Sequence, residues 1–296
     1  MGRCCRGKFE ADKVSMKNPH VLISIPTLNS SYFLEKCLKA IDTQTYKNIS
    51  VNIVDGGSTD ETISIAKKYG VTEMIICKDS LLAARVEGVK KAKSDYVLLL
   101  DSDQILKSST IENLVKMVNK EDLAMVILEE DVYQPQTFIE KLFSADRKLI
   151  HEVKDFSPFT GVVLPRFYKT IVLKKAMSSI PTKVIKEVGG QDHAIIYYEA
   201  WQVSKKVGML SNAVSHIEPR SYSIMWKKFY RWGKTSAGAH QTKYDTLLKR
   251  KERFRTGMFR QNMITASFAS IILLILKGIP YKLGFYSARF SKTDEK

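Results

Sequence analysis

Residues 95–103, Asp95-Tyr96-Val97-Leu98-Leu99-Leu100-Asp101-Ser102-Asp103, read as a buried strand running straight into an acidic loop. Tyr96 to Leu100 is a short apolar run with no polar alternation, as in a strand covered on both faces. It stops at two carboxylates, and residues at i and i+2 of an extended chain point the same way. Asp101 and Asp103 are therefore expected together at the rim of a sheet, where oxygen ligands suit a hard cation bridging to phosphate. A solvated turn or a cap at Ser102 is the alternative for the same residues.

Upstream, His20 to Ile25 is expected to be a strand closed by Pro26, Ile49 to Val54 a second, and Met74 to Cys77 a third. Between them, Ser31 to Thr43 carries Phe33, Leu34, Leu38 and Ile41 at helical spacing. A helix from Thr59 to Tyr69 starts with Asp60 and Glu61, where carboxylates favour the dipole, and Leu81 to Ala92 forms another. Alternating apolar strands and helices define an α/β fold with a mostly parallel sheet covered on both sides. Ligands of such sheets bind beyond the strands' carboxyl ends, so Pro26–Asn29, Asp55–Ser58 and Asp101–Asp103 should converge on one crevice. Asp55 can accept from a base or a ribose, and Gly56-Gly57 permits close backbone approach; a capped glycine turn reads equally well. Arg85, one turn into its helix, reads as a phosphate contact or as a surface charge.

The chain's 296 residues, 44% hydrophobic and 26% charged, exclude disorder and a small stapled scaffold. Cys4, Cys5, Cys37 and Cys77 show neither disulfide-framework nor zinc spacing, so a reducing, cytoplasmic setting is expected. The opening MGRCCRGK lacks the apolar core of a secretory leader, and Arg6 stands where a myristoylation signal needs Ser or Thr. The formal charge is +16. Residues 216–262 contribute +9 of it and 277–296 another +3, flanking the uncharged run Ile264–Leu276. Basic flanks around an apolar segment are a membrane-interface pattern. At 13 residues, or 16 if carried to Ile279, the run is shorter than a span, and Gly278 and Pro280 should interrupt it. An interfacial or re-entrant segment anchored by Tyr281, Phe285 and Tyr286 is therefore expected, against a buried C-terminal core helix. The basic excess brings no nucleic-acid recognition module with it, so no nucleic-acid partner is expected.

Five motifs in order, PTLN (Pro26–Asn29), QTY (Gln44–Tyr46), VDGGSTD (Val54–Asp60), ARVEGVKKA (Ala84–Ala92) and DYVLLLDSD (Asp95–Asp103), resemble the nucleotide-sugar half of a family 2 glycosyltransferase. The resemblance implies the Rossmann-like GT-A fold and an inverting, metal-dependent transfer from a nucleoside diphosphate sugar. It implies that Pro26, Thr27, Asn29 and Asp55 hold the nucleoside, that Arg85 and Asp101 lie at the diphosphate, and that Asp101 and Asp103 bind Mg²⁺ or Mn²⁺. His216 matches a histidine that in relatives approaches the metal or the diphosphate, a structural histidine being the alternative. The glycine-rich loop of sugar-nucleotide pyrophosphorylases is missing. The implied organisation is a basic arm (1–18), a catalytic domain (19–215, with a nucleotide-sugar half 19–105 and an acceptor half 106–215), and a basic, aromatic, partly apolar helical membrane-associating region (216–296).

The acceptor half matches less fully. Val188–His193 resembles the family's Gly-Gly-x-Asp segment and Glu199–Gly208 its acceptor-side helix, but Tyr197 occupies the position where relatives carry the general base. Either Asp192, or Glu199, accepts the acceptor's proton, or the acceptor needs no base. A polyprenyl phosphate, with a second pKa of about 6, arrives ionised and suits a tail made for an anionic membrane surface. The rival functions are a non-catalytic nucleotide-sugar-binding protein and a basic membrane or nucleic-acid adaptor on the same fold.

Overall fold

The computed structural model describes residues 18–152, 155–159, 163–251 and 263–291. Residues 1–17 of the basic arm, with Cys4 and Cys5, and residues 252–262 of the basic region lie outside them. The first half runs β1 (Val21–Thr27), α1 (Ser31–Asp42), β2 (Ile49–Asp55), α2 (Thr62–Lys68), β3 (Glu73–Ile76), α3 (Leu81–Lys90) and β4 (Tyr96–Leu99). The second continues with β5 (Gln104–Leu106), α4 (Thr110–Glu121), β6 (Met125–Val132), α5 (Phe138–His151), β7 (Pro165–Lys169), α6 (Thr170–Ser178), α7 (Thr182–Glu187), α8 (Asp192–Val203) and β8 (Val207–His216). The helices α9 (Tyr222–Ser236), α10 (Asp245–Lys251) and α11 (Ile264–Ser291) follow.

The strands form one sheet in the order β3-β2-β1-β4-β7-β6-β8-β5. Four of its seven pairings are parallel; β7 runs antiparallel between β4 and β6, and β5 antiparallel at the edge. This is the mostly parallel α/β sheet expected, and the strand alternation shows why the runs are wholly apolar. Val21, Ile23, Ile25, Tyr96 and Leu98 pack beneath α1 and α4, while Leu22, Val97 and Leu99 pack beneath α3, α6 and α8. Each such side chain contributes roughly 1.5–3 kcal/mol by leaving water.

Two local expectations change. Pro26 does not close β1, which runs on to Thr27 with Pro26 opposite Val54. The Leu100 amide donates to Ser24 O, so Ser24 and, two residues on, Pro26 face β4. Lacking an N–H, Pro26 ends the ladder on that side while β1 continues with β2. Likewise α2 begins at Thr62 rather than Thr59, because Asp60 Oδ1 caps the Thr62 amide at 3.0 Å and its Oδ2 accepts from the Ser31 amide at 3.1 Å.

At the C-terminus the correction is larger. The helix α11 passes through Gly278 and Pro280 without a break, and Ile264–Phe290, 27 residues whose most apolar 18-residue stretch has a mean hydropathy of 1.7, is long and apolar enough to cross a membrane. Proline costs about 3 kcal/mol inside a helix, and here packing on both sides of it offsets that cost. Before it, Leu273 joins Val132, Ile139, Leu142, Phe143 and Met225 in a third core cluster, and Ser270 and Lys277 both reach the buried Asp146 of α5. After it, a Cβ on Gly284 would stand 2.0 Å from Tyr230 O, and one on Gly233 1.9 Å from Tyr281 O, so α9 and α11 cross in backbone contact.

Candidate active site

The loops after β1 and β2 are stitched together at the carboxyl end of the sheet. Asp55, the last residue of β2 and 2% exposed, accepts from Thr27 Oγ1 at 2.9 Å, Ser58 Oγ at 2.6 Å, and the Gly57 and Ser58 amides at 2.8 and 2.7 Å. Burial opposes its charge, but the bonds from Ser58, Thr27 and Gly57 outweigh it and hold the carboxyl below its ordinary range. Asn29, left-handed at φ 49°, receives the Thr59 amide on Oδ1 at 2.9 Å and donates its own amide to Ser58 Oγ at 2.8 Å. Pro26, Thr27, Asn29 and Asp55 are thus brought together at one corner.

A third loop joins through α3. A Cβ on Gly88 would fall 2.2 Å from Ser24 Oγ, so only glycine lets α3 lie directly on β1 and β2. Arg85, one turn nearer the strands' carboxyl ends, is 1% exposed and donates through Nη2 to Asp101 Oδ1 at 2.5 Å and through Nε to Asp192. The second Asp101 oxygen takes Arg166 Nη1 at 2.7 Å. Burial works against ionisation of Asp101, but Arg166 and Arg85 prevail and hold it well below the usual carboxylate range.

From Arg166 the charges alternate across the second half of the sheet. Arg166 lies 3.4 Å from Glu130, which with Glu218 clasps Arg147 of α5, and Glu218 lies 3.2 Å from His216 Nδ1. His216 Nε2 is then 3.4 Å from Asp103 Oδ1, and Lys228 Nζ of α9 is 3.5 Å from Asp103 Oδ2. Burial lowers the His216 pKa, yet Asp103 and Glu218 raise it further, favouring the imidazolium. His193 behaves oppositely. Burial, with Arg166 and Arg85 beside it, brings its pKa down to about 4, so the neutral ring accepts from Arg166 at Nε2.

Sequence reasoning had no hold on Arg166, Glu130, Arg147 or Glu218. The only local hint is Glu129-Glu130 interrupting the apolar β6, because buried acids need partners. Glu199, two turns along α8 from Asp192, is not in this network: its Oε1 accepts from Tyr244 Oη at 2.6 Å and Lys243 Nζ at 2.6 Å. Tyr197 is buried and donates to Phe156 O.

Among the described residues, no three His, Cys, Asp or Glu side chains form a complete metal cage. Asp103 and His216 nevertheless make a partial one: their 3.4 Å separation is close to the spacing of two ligands each about 2.1 Å from one ion. Magnesium is ordinarily held by one or two carboxylates with phosphate and water completing its shell, so Asp103 fits it, and His216 would join only as the neutral imidazole.

Residues 22–180, more than half of the chain, match the family described as Glycosyl transferase family 2. Glycosyltransferase GlyG of Streptococcus pneumoniae is 31% identical over 113 residues, 36% of this chain and 38% of that protein. The chain thus aligns with well under half of that relative's length. A Campylobacter jejuni protein named GalNAc(5)-diNAcBac-PP-undecaprenol beta-1,3-glucosyltransferase is 24% identical over 296 residues, 88% of this chain and 94% of its own. Among solved structures, S. aureus TarS 1-349 in complex with UDP-GlcNAc superposes with a TM-score of 0.54 at 14% identity, over 94% of this chain and 92% of that one. Glucosyl-3-phosphoglycerate synthase from Mycobacterium tuberculosis, in complex with Mn²⁺, UDP and glucosyl-3-phosphoglycerate, gives 0.53 at 16%, over 82% and 84%. The GT-A fold of these neighbours is the fold seen here, and the family match spans all three strand-end loops that build the site: the chain belongs to glycosyl transferase family 2.

Proposed function

We propose that this chain moves a sugar from a nucleoside diphosphate sugar to an acceptor at the cytoplasmic face of a membrane, by inverting displacement at the sugar C1. The observation that carries this reading is the convergence of Asp55, Arg85, Asp101 and Asp103 at the carboxyl ends of β2 and β4. Thr27, Asn29 and Asp55 form the corner suited to the nucleoside, and Arg85 and Arg166 supply buried positive charge where a diphosphate departs. Asp103, with His216 as the neutral ring, would hold a Mg²⁺ or Mn²⁺, which would supply further neutralisation of that leaving charge. Asp101, whose oxygens each accept from one arginine, would join as a ligand through a remaining lone pair.

The acceptor side favours a substrate that needs no base. Burial raises the Asp192 pKa, but Arg85 and His193 bring it below the ordinary value, and a carboxylate so held is a weak proton acceptor. Glu199 is committed to Tyr244 and Lys243. A phosphate monoester such as a polyprenyl phosphate, ionised above a pKa of about 6, can attack directly. The C. jejuni relative's name has an undecaprenol-linked glycan in its reaction, which supports an acceptor at a membrane, although its beta-1,3 linkage is to a sugar hydroxyl rather than to a phosphate.

The test is incubation with a panel of UDP- and GDP-sugars, with and without polyprenyl phosphate and Mg²⁺ or Mn²⁺, following nucleotide release and sugar in the lipid fraction. Lipid-phase product is expected, and Asp103→Ala should lower turnover by at least about a hundredfold. Transfer confined to soluble acceptors would sink the phosphate acceptor, and wild-type turnover by Asp103→Ala would sink the metal assignment.

A further inference from the structure

The helix α11 turns an apolar side outward. Its packed face carries Ser267, Ser270, Leu273, Lys277, Gly284 and Phe285, whereas Ile264, Ile272, Ile275, Ile279, Leu283 and Tyr286 are each 43–56% exposed, on a side they share with exposed Lys282. At 3.6 residues per turn those six fall within an arc of about 100° on the opposite side, and the stripe follows the helix for about 33 Å. A helix on the surface of a water-soluble domain distributes these residues the other way.

We infer that α11 lies flat in the interface of an anionic bilayer, with this stripe in the acyl boundary, and does not cross the membrane. Its inward face stays bound to the domain along most of its length. Ser270 and Lys277 both engage Asp146 of α5, which is 4% exposed; Gly284 rests on the Tyr230 carbonyl; and Tyr230 Oη lies 3.2 Å from Ser287 Oγ. A transmembrane placement strips the partners from Asp146 or drags α5 and α9, with exposed Lys141, Lys148, Lys227 and Arg231, into hydrocarbon. The occupant is lipid rather than a second copy because of charge. The chain carries +16, of which +9 lies in residues 216–262, ahead of the helix in sequence, and +3 in residues 277–296, which include its second half; this charge attracts an anionic surface and repels another copy of the chain. The same helix α9 that seats α11 sends Lys228 to Asp103, so the docked stripe holds the site at a fixed height above the headgroups.

This inference deepens only the membrane-surface part of the proposed function, and vesicle flotation of the full-length protein tests it without any sugar transfer. Phosphatidylcholine vesicles with 30% phosphatidylglycerol should carry at least about tenfold more of the protein up a density gradient than phosphatidylcholine alone, because basic residues near an anionic surface are attracted to it. Ile272→Glu/Ile279→Glu should weaken flotation at least tenfold. Ile171→Glu, which changes an isoleucine 77% exposed on α6, should not, and circular dichroism should be unchanged in both variants. With bromines at two acyl depths, Trp introduced singly at Ile264, Ile275 and Tyr286 should be quenched at one shared, shallow depth beyond the background of the native tryptophans. Deep quenching at 275 with shallow ends would mean a span and overturn the inference. So would a dimer in solution that ignores vesicles. A protein that floats as described yet transfers no sugar would overturn the enzymatic reading and leave this one standing.

Discussion

Glu130 shows how much of the site rests on residues far apart in sequence. It receives Gln104, Arg147 and Arg166 from three different elements. Burial opposes its charge, yet Arg147, Arg166 and His216 bring its pKa from 4.5 to about 2. The folded state therefore keeps this carboxylate ionised where the unfolded chain takes up a proton. The stabilisation is complete above pH 4.5 and is lost progressively as the pH falls towards 2. His193, with its pKa lowered from 6.5 to about 4, adds a loss of the same sign that begins below pH 6.5. Replacing Glu130 with Gln leaves two buried guanidinium groups short of charge, and should cost about 3–5 kcal/mol. Urea midpoints measured between pH 7 and 3 should be lower for this variant throughout and fall less steeply below pH 4.5. Equal slopes would mean that the fold does not hold the Glu130 pKa below its unfolded value. Asp101, Asp103, Asp55 and Arg85 were legible because each follows a strand or opens a helix that the hydrophobic pattern already located. Asp101's partner Arg166 was not, since no spacing announces a contact made 65 residues away.

Elements were legible where periodicity settles them and illegible where a neighbour does. The strands β1, β2 and β4 and the helices α1 and α3 follow from apolar runs and helical spacing. Pro26 and Pro280 read as stops and are not, one because it faces the finished side of a ladder, the other because α5 and α9 hold the helix across it. The crossing of α9 and α11 depends on two glycines whose backbones touch, and it is the weakest element-level joint to perturb. Gly233→Ala and Gly284→Ala should each destabilise by about 1–3 kcal/mol, seen as a melting-temperature drop of roughly 2–4 °C per kcal/mol. Because each alanine already parts the helices, the double variant should lose clearly less than the sum of the two. Strict additivity would mean that the glycines act separately.

For the molecule as a whole, the C-terminal helix is part of the packed body. Its Leu273 closes a cluster whose other members are Val132, Ile139, Leu142, Phe143 and Met225, and its Ser270 and Lys277 satisfy Asp146. Truncation after residue 263 should therefore give insoluble or unfolded protein, measured as the soluble fraction against the full-length chain. A soluble, monomeric truncation with native circular dichroism would show that the body folds without α11. By itself the sequence determined the α/β sheet, the three strand-end loops, their carboxylates and the basic character of the tail, because hydrophobic period, turn residues and net charge are local sums over neighbouring residues. Only the tertiary structure decided which arginines neutralise those carboxylates, that Glu199 is bound elsewhere, and which side of α11 stays open. Those outcomes depend on long-range burial, where a charge must find a partner and a proline or glycine is accepted or rejected by whatever packs against it.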